Sequence, residues 1–147
     1  MTCIECNKKL DYQDHKVSMD NLGVELCSEH VNRMMVLIEK RNTPKEAIQL
    51  YYGLKDAGVT AMLEWWDGTK SIDIAISRVK LNIIIDSEYN MLTHEQAIND
   101  LEKTMHSFKN GFTTIRIPHV LIKHYLKETV TNILGIIDGL RVHLKAI

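Results

Sequence analysis

Four residues near the start of the chain have the types and spacing of a metal site. Cys3 and Cys6 form a Cys-x2-Cys pair, and Cys27 and His30 form a Cys-x2-His pair, with 20 residues between the two pairs. Two close pairs of thiolate and imidazole ligands suit tetrahedral Zn2+, because each tight pair lets one local turn aim two donors at one ion. No cysteine is left over, which argues against plain free thiols, and nothing in MTCIECNKKL reads as an export signal that would favour disulfides. Four protein ligands close the coordination sphere, so this zinc is expected to be structural. His15 lacks a paired partner and reads as a surface histidine.

A second set of residues is acidic. Asp73 interrupts an alternating apolar run, Ser71 to Ile76, and Asp86 ends the run Lys80 to Asp86. A carboxylate within an apolar strand is costly to bury unless it is paired or binds a metal. Asp73 is therefore a candidate site residue, with a paired or turn-capping aspartate as the plainer alternative.

The elements that would position these residues follow from pattern. Between the ligand pairs, Val17 to Met19 and Val24 to Leu26 flank the turn-rich Asp20-Asn21-Leu22-Gly23, which predicts a hairpin. A helix then begins at the second ligand pair, and knuckle, hairpin and helix together give a treble-clef-like module over residues 1–42. Thr43-Pro44-Lys45-Glu46 predicts a helix start, with Thr43 as N-cap and Glu46 closing a capping box. That helix is expected to end at Gly58. Strands are expected over 59–66, 71–76, 80–86 and 112–117, with Asp67-Gly68 turning the first into the second. Thr93 and Gln96 predict a capping box on a helix running to Asn110, whose Ile98, Leu101, Met105 and Phe108 are expected to face the sheet. From His119 the pattern is helical, in two pieces meeting near Tyr125 to Thr129. The expected fold is α/β (α+β), a mixed four-stranded sheet flanked by helices, over residues 43–147.

The net charge of −1 gives no general attraction for nucleic acid. Any such surface would be local, and Lys103, Lys109, Arg116, Lys123 and Lys127 are its candidate rim, with ordinary solvated charge as the alternative. Of Trp65 and Trp66, one should be core and the other a partly exposed aromatic able to stack on bases. No apolar run reaches a membrane span, and a cytoplasmic protein is expected.

The order of elements, with TPKEAIQLYYGLKDAGV, WWDGTKSIDIAISRVKLNIIIDSEYN and EQAINDLEKTMHSFKNGFTTIRIPHVLI, resembles the PD-(D/E)XK nuclease superfamily over roughly residues 43 to 141. Within it, the likeness is to small very-short-patch-repair-like endonuclease domains, and the preceding zinc finger is similar to one that accompanies them. The resemblance implies a restriction-endonuclease-like fold, DNA as substrate, and a divalent metal, Mg2+ or Mn2+, that activates water for attack on a phosphodiester. By position it implies Glu46, Asp73 and Asp86 as the catalytic set. Relatives carry Glu-Val-Asp-Gly where this chain has Ile84-Ile85-Asp86-Ser87, and a histidine where Asn90 falls. Isoleucine supplies no metal ligand, and Glu88 is the nearest substitute carboxylate. The implied site is degenerate, with absent or weak cleavage. The rival reading is an inert nuclease-fold scaffold or inhibitor that binds another protein.

Overall fold

The structure is a computed structural model and describes residues 1–68, 70–86 and 93–146. Ser87, Glu88 and Asn90 lie outside the described residues. Among the described residues there are five α-helices and four strands: α1 Tyr12–Leu22, α2 Ser28–Arg41, α3 Lys45–Asp56, β1 Met62–Trp66, β2 Ser71–Ile76, β3 Leu81–Asp86, α4 His94–Lys109, β4 Thr113–Pro118 and α5 His119–Ala146.

The expected hairpin over residues 17–26 does not form: residues 17–22 are the end of α1, and 23–26 follow as irregular chain. Asp11 caps α1 by accepting from the Asp14 N–H at 2.7 Å. Gly23 closes the helix in the left-handed region (φ 72°), so it is a helix stop rather than a hairpin turn. Ser18 supplies the bonds a partner strand would have made. Its hydroxyl donates to the Val24 carbonyl and accepts from the Leu26 N–H at 2.8 Å.

The capping box expected at Thr43 does not form either. Pro44 is the N-cap of α3, no side chain caps it, and the Thr43 hydroxyl is buried without a hydrogen-bond partner. Extended backbone at Pro44 (φ −62°, ψ 137°) starts the helix one residue later than the capping pattern suggests. The stop comes where expected, with Gly58 left-handed at φ 87°.

The sheet has the order β1-β2-β3-β4. β1, β2 and β3 run antiparallel in turn, and β4 lies parallel to β3 after the α4 crossover. The sheet is therefore mixed, with β1 and β4 at its two edges. Ile74, Ile76, Leu81, Ile83, Ile85 and Ile117 share one face and pack with α3 and α5 around the main core. α5 bends at Tyr125 (φ −136°, ψ 43°), where the Thr129 hydroxyl donates to the Tyr125 carbonyl at 2.8 Å. Two helical segments meeting there is what the sequence predicts.

Alternation assigns the other face. Asp73 shares a side with Ala75, Ala75 pairs with Asn82, and Asn82 shares its side with Ile84 and Asp86. Across the parallel pair, Thr114 and Arg116 join them. This face is mostly polar. Asn82, 1% exposed, has neither amide atom hydrogen-bonded, and its neighbour Thr114 also leaves its hydroxyl without a partner.

α4 lies over this polar face, and its expected orientation is reversed. Asp100, Lys103, Thr104 and Ser107 are the buried or half-buried positions of the helix. Ile98, Leu101, Met105 and Phe108 are 44%, 64%, 50% and 70% exposed. Periodicity finds the apolar stripe correctly, but a polar sheet face takes the polar stripe.

No helix among the described residues is long and apolar enough to cross a membrane.

Two candidate metal centres

The N-terminal ligands converge. The donor atoms of Cys3, Cys6, Cys27 and His30 all lie within 4.8 Å of one another. Cys3 Sγ is 3.6 Å from His30 Nδ1, and Cys6 Sγ is 3.9 Å from Cys27 Sγ. Bonds of about 2.3 Å to sulfur and 2.0–2.1 Å to nitrogen put tetrahedral donors about 3.5 to 3.8 Å apart. The closest pair, Cys27 Sγ to His30 Nδ1 at 3.0 Å, needs only a small opening to admit the ion. The four residues therefore fit a zinc ion and could hold one, with Nδ1 as the histidine ligand.

Local structure explains the convergence. The Cys3 carbonyl accepts from the Asn7 N–H at 2.8 Å and the Cys3 N–H donates to Lys8 at 2.8 Å, which folds the first pair into a tight knuckle. Asn7 sits at φ 62° within it. Cys27 is the N-cap of α2, so His30 follows on that helix's first turn. Burial raises the Cys3 thiol, but N–H groups of Cys27, Cys6 and Glu5 outweigh it and bring it down to about 6. A thiolate is the form a metal requires.

The module does not have a core of its own. Cys3, Leu10, Leu22, Leu26, Cys27 and Val31 pack in one cluster with Ile48 and Tyr52 of α3. Glu5, inside the knuckle, is bonded by Lys55 at 2.7 Å. Burial raises the Glu5 carboxyl, but Lys55, the Tyr52 hydroxyl and the His30 charge together outweigh it and hold it below the ordinary range. Gln49 donates to the Leu22 carbonyl at 2.9 Å. The joint at residues 41–43 thus divides the sequence but not the packing.

The acidic residues behave differently. Asp73 and Asp86 do lie on neighbouring strands and on one face, with Ile84 half-buried on the same face. Each carboxylate is committed to the protein. Asp73 Oδ2 accepts from the Ile85 N–H at 2.8 Å, just beyond the last β2–β3 pair. Asp86 accepts from Arg116 Nη1 at 3.2 Å, and the same guanidinium donates through Nη2 to Asp100 of α4. Burial raises the Asp73 carboxyl above its ordinary range, with the Ile85 bond and Arg116 pulling down and the Glu64 and Asp86 charges adding to the rise. Glu46 is half-buried in the first turn of α3, and no bond or ion pair joins it to Asp73 or Asp86. Among the described residues, no second group of three or more His, Cys, Asp or Glu side chains gathers as the N-terminal four do.

Two residues here escape the sequence reading. Glu64 falls between the Leu63–Ile74 and Trp65–Ile72 pairs, at the level of Asp73, and takes a left-handed φ of 53° in mid-strand. Non-glycine residues rarely adopt that conformation. Ser71 donates to Glu64 Oε2 at 2.7 Å. A two-residue Asp67-Gly68 turn would have put Glu64 opposite Ser71, whereas the observed Trp66–Ser71 pairing shifts it to the position across from Asp73. Lys70 has its Nζ buried with no hydrogen-bond partner, and burial lowers its basicity against the nearby Asp100 and Asp67 charges. No pattern in the sequence marks Lys70 out. The candidate rim is dispersed in role, since Arg116 is already neutralised by two carboxylates. Trp66 is the exposed tryptophan, at 64%, and Trp65 stacks at 5.5 Å on Phe112.

Comparison with known proteins returns no match: no family model, no curated protein and no solved structure matches this chain.

Proposed function

We propose that this chain is a zinc-stapled, catalytically silent PD-(D/E)XK-like protein that works by docking on another protein. The observation that carries the reading is the commitment of Asp73 and Asp86. One carboxylate satisfies a strand N–H, the other is neutralised by Arg116, and Ile84 stands where the superfamily's glutamate would be. A hard cation wants several free oxygen ligands, and this face offers none arranged for it. Glu64 and Asp86 act on Asp73 against Arg116, and Asp67 and Asp100 act on the neighbouring Lys70 against Arg116 and Lys103. Acids outnumber bases, which disfavours a phosphate backbone there. The exposed apolar stripe of α4 favours a protein surface instead. In this reading zinc at Cys3, Cys6, Cys27 and His30 is purely structural and secures the knuckle against α3.

A second reading is DNA binding with weak Mg2+- or Mn2+-dependent phosphodiester cleavage at Asp73, Asp86 and Glu46. It draws on the shared face of the two aspartates, with Glu64 opposite. One experiment separates the two. Single- and double-stranded DNA and RNA are incubated with the protein and Mg2+ or Mn2+, alongside a binding titration at physiological salt. The docking reading expects no cleavage and no saturable binding. Robust Mg2+-dependent cleavage that disappears in Asp73→Ala would establish the nuclease reading in its place.

A further inference from the structure

α4 is turned inside out relative to an ordinary surface helix. Its two stripes are about 140° apart at 3.6 residues per turn. Asp100, Lys103 and Ser107 face the sheet, where Asp100 is bonded by Arg116 and Ser107 donates to Asp67 at 3.4 Å. The outward stripe, Ile98, Leu101, Met105 and Phe108, is exposed along its whole length. Large contiguous apolar surface of this kind marks an interaction site.

The spacing of the stripe states what fits it. Steps of three, four and three residues are those of a helix-packing seam. They are also symmetrical about Lys103. If a second α4 is laid antiparallel across the stripe, Ile98 meets Phe108 of the copy and Leu101 meets Met105 of the copy, each contact occurring twice. Such a surface is self-complementary about a two-fold axis, which is the requirement of an isologous dimer. Charge agrees with the same alignment. Glu95 and Lys109 are both exposed and lie on the same flank of the stripe. Lys109 of the copy falls opposite Ala97, about 3 Å along the axis from Glu95 at 1.5 Å per residue. The two-fold gives that pair twice. Glu102 sits near the axis and faces its own copy, a repulsion that keeps the contact reversible.

We infer that the partner of this face is a second copy of the chain, joined through antiparallel α4 helices. The inference rests on the docking reading in taking the α4 stripe as a protein-binding surface, and it assigns that surface to a second copy of the chain rather than to a different protein. A seam of one 16-residue helix per subunit falls in the small, transient class of interfaces, below about 1,200 Å2 in total. The association is therefore expected to be concentration-dependent rather than permanent.

The test is sedimentation velocity on the full, zinc-loaded chain over a hundredfold range of concentration. The wild-type protein should pass from monomer to dimer mass. Leu101→Asp, exposed and so harmless to the fold, should weaken the dimer at least about tenfold with unchanged circular dichroism. Lys109→Glu should weaken it several-fold, and Lys109→Glu combined with Glu95→Lys should recover most of the loss. Recovery by the charge swap is specific to self-pairing in this alignment. A wild-type protein that stays monomeric throughout, or a dimer indifferent to both Leu101→Asp and Lys109→Glu, overturns the inference. Neither result bears on cleavage or nucleic-acid binding, so nuclease silence stands or falls in its own assay.

Discussion

The two clusters of potential metal ligands differ in what else their donors do. In the N-terminal module, the four donor atoms point at one another within 4.8 Å. On the polar face of the sheet, Asp73 and Asp86 share a face on neighbouring strands, yet each is consumed by a protein donor, Ile85 N–H or Arg116. The contrast teaches that closeness in space is not enough for a metal site. The donors must also lack a better internal partner. A soft thiolate finds few strong partners in a protein, whereas a carboxylate finds N–H groups and guanidinium readily.

The largest expected effect comes from breaking the first cluster. Purified protein should carry about one zinc per chain, and Cys6→Ser should lose it. Because Ile48 and Tyr52 share the module's core, the damage should spread into α3, costing at least about 3 kcal/mol in denaturant unfolding. Elemental analysis and a urea titration check both parts. A variant with unchanged unfolding would show that the module is energetically separate from α3.

The second cluster can be converted toward the first. Ile84→Glu places a third carboxylate on the face of Asp73 and Asp86, but Arg116 is the β4 register partner of that position and would neutralise it. The single change should therefore add little divalent affinity. Combined with Arg116→Gln it should create Mn2+ binding detectable by calorimetry. If Ile84→Glu alone binds as well as the pair, Arg116 is not the obstacle.

Arg116→Gln by itself removes the bridge between Asp86 and Asp100. These groups are about a third exposed, so solvent screening moderates the loss to about 1–2 kcal/mol. Hydrogen exchange should show α4 amides opening before those of α3.

The smallest effect sharpens the contrast through pH. The Asp73 carboxyl is raised in the folded state, mainly by burial, so the folded protein binds more protons than the unfolded chain between the ordinary aspartate range and the raised value. Stability at this position is full at low pH and falls as pH rises through that window. Asp73→Asn keeps an acceptor for Ile85 N–H and carries no charge. It should be slightly stabilising at pH 7 and should flatten the pH dependence of the melting temperature. A destabilised Asp73→Asn would mean that the charge itself holds the β2–β3 junction.

The sequence was legible where signals are local. The spacing of the zinc ligands, the Thr93–Gln96 capping box, the limits of β2 and the break near Tyr125 all depend on residues a few positions apart. It was not legible where a distant partner decides. Gly23 suits both a hairpin turn and a helix stop, and Ser18, by bonding Val24 and Leu26, settles for the helix. The stripe on α4 was visible, but the polarity of the surface beneath it depends on Asn82, Thr114 and Arg116 in other strands. Asp73 was correctly marked as a costly group, but the donor that relieves it is a backbone N–H, which has no signature in sequence.

The core shared by the module and α3 has a consequence for the order in which the chain takes shape. All four ligands lie within residues 3–30, and Ile48 and Tyr52, which complete the packing around them, are synthesised some 20 residues later. At a translation rate of about 5–20 residues per second, the nascent module waits on the order of one to several seconds with Leu22 and Leu26 incompletely covered. The β3–β4 pair closes later still, since Leu81 must wait for Thr113. A captured ion at residues 3–30 would therefore act as a placeholder at the ribosome, holding the first segment in register until α3 emerges to cover it.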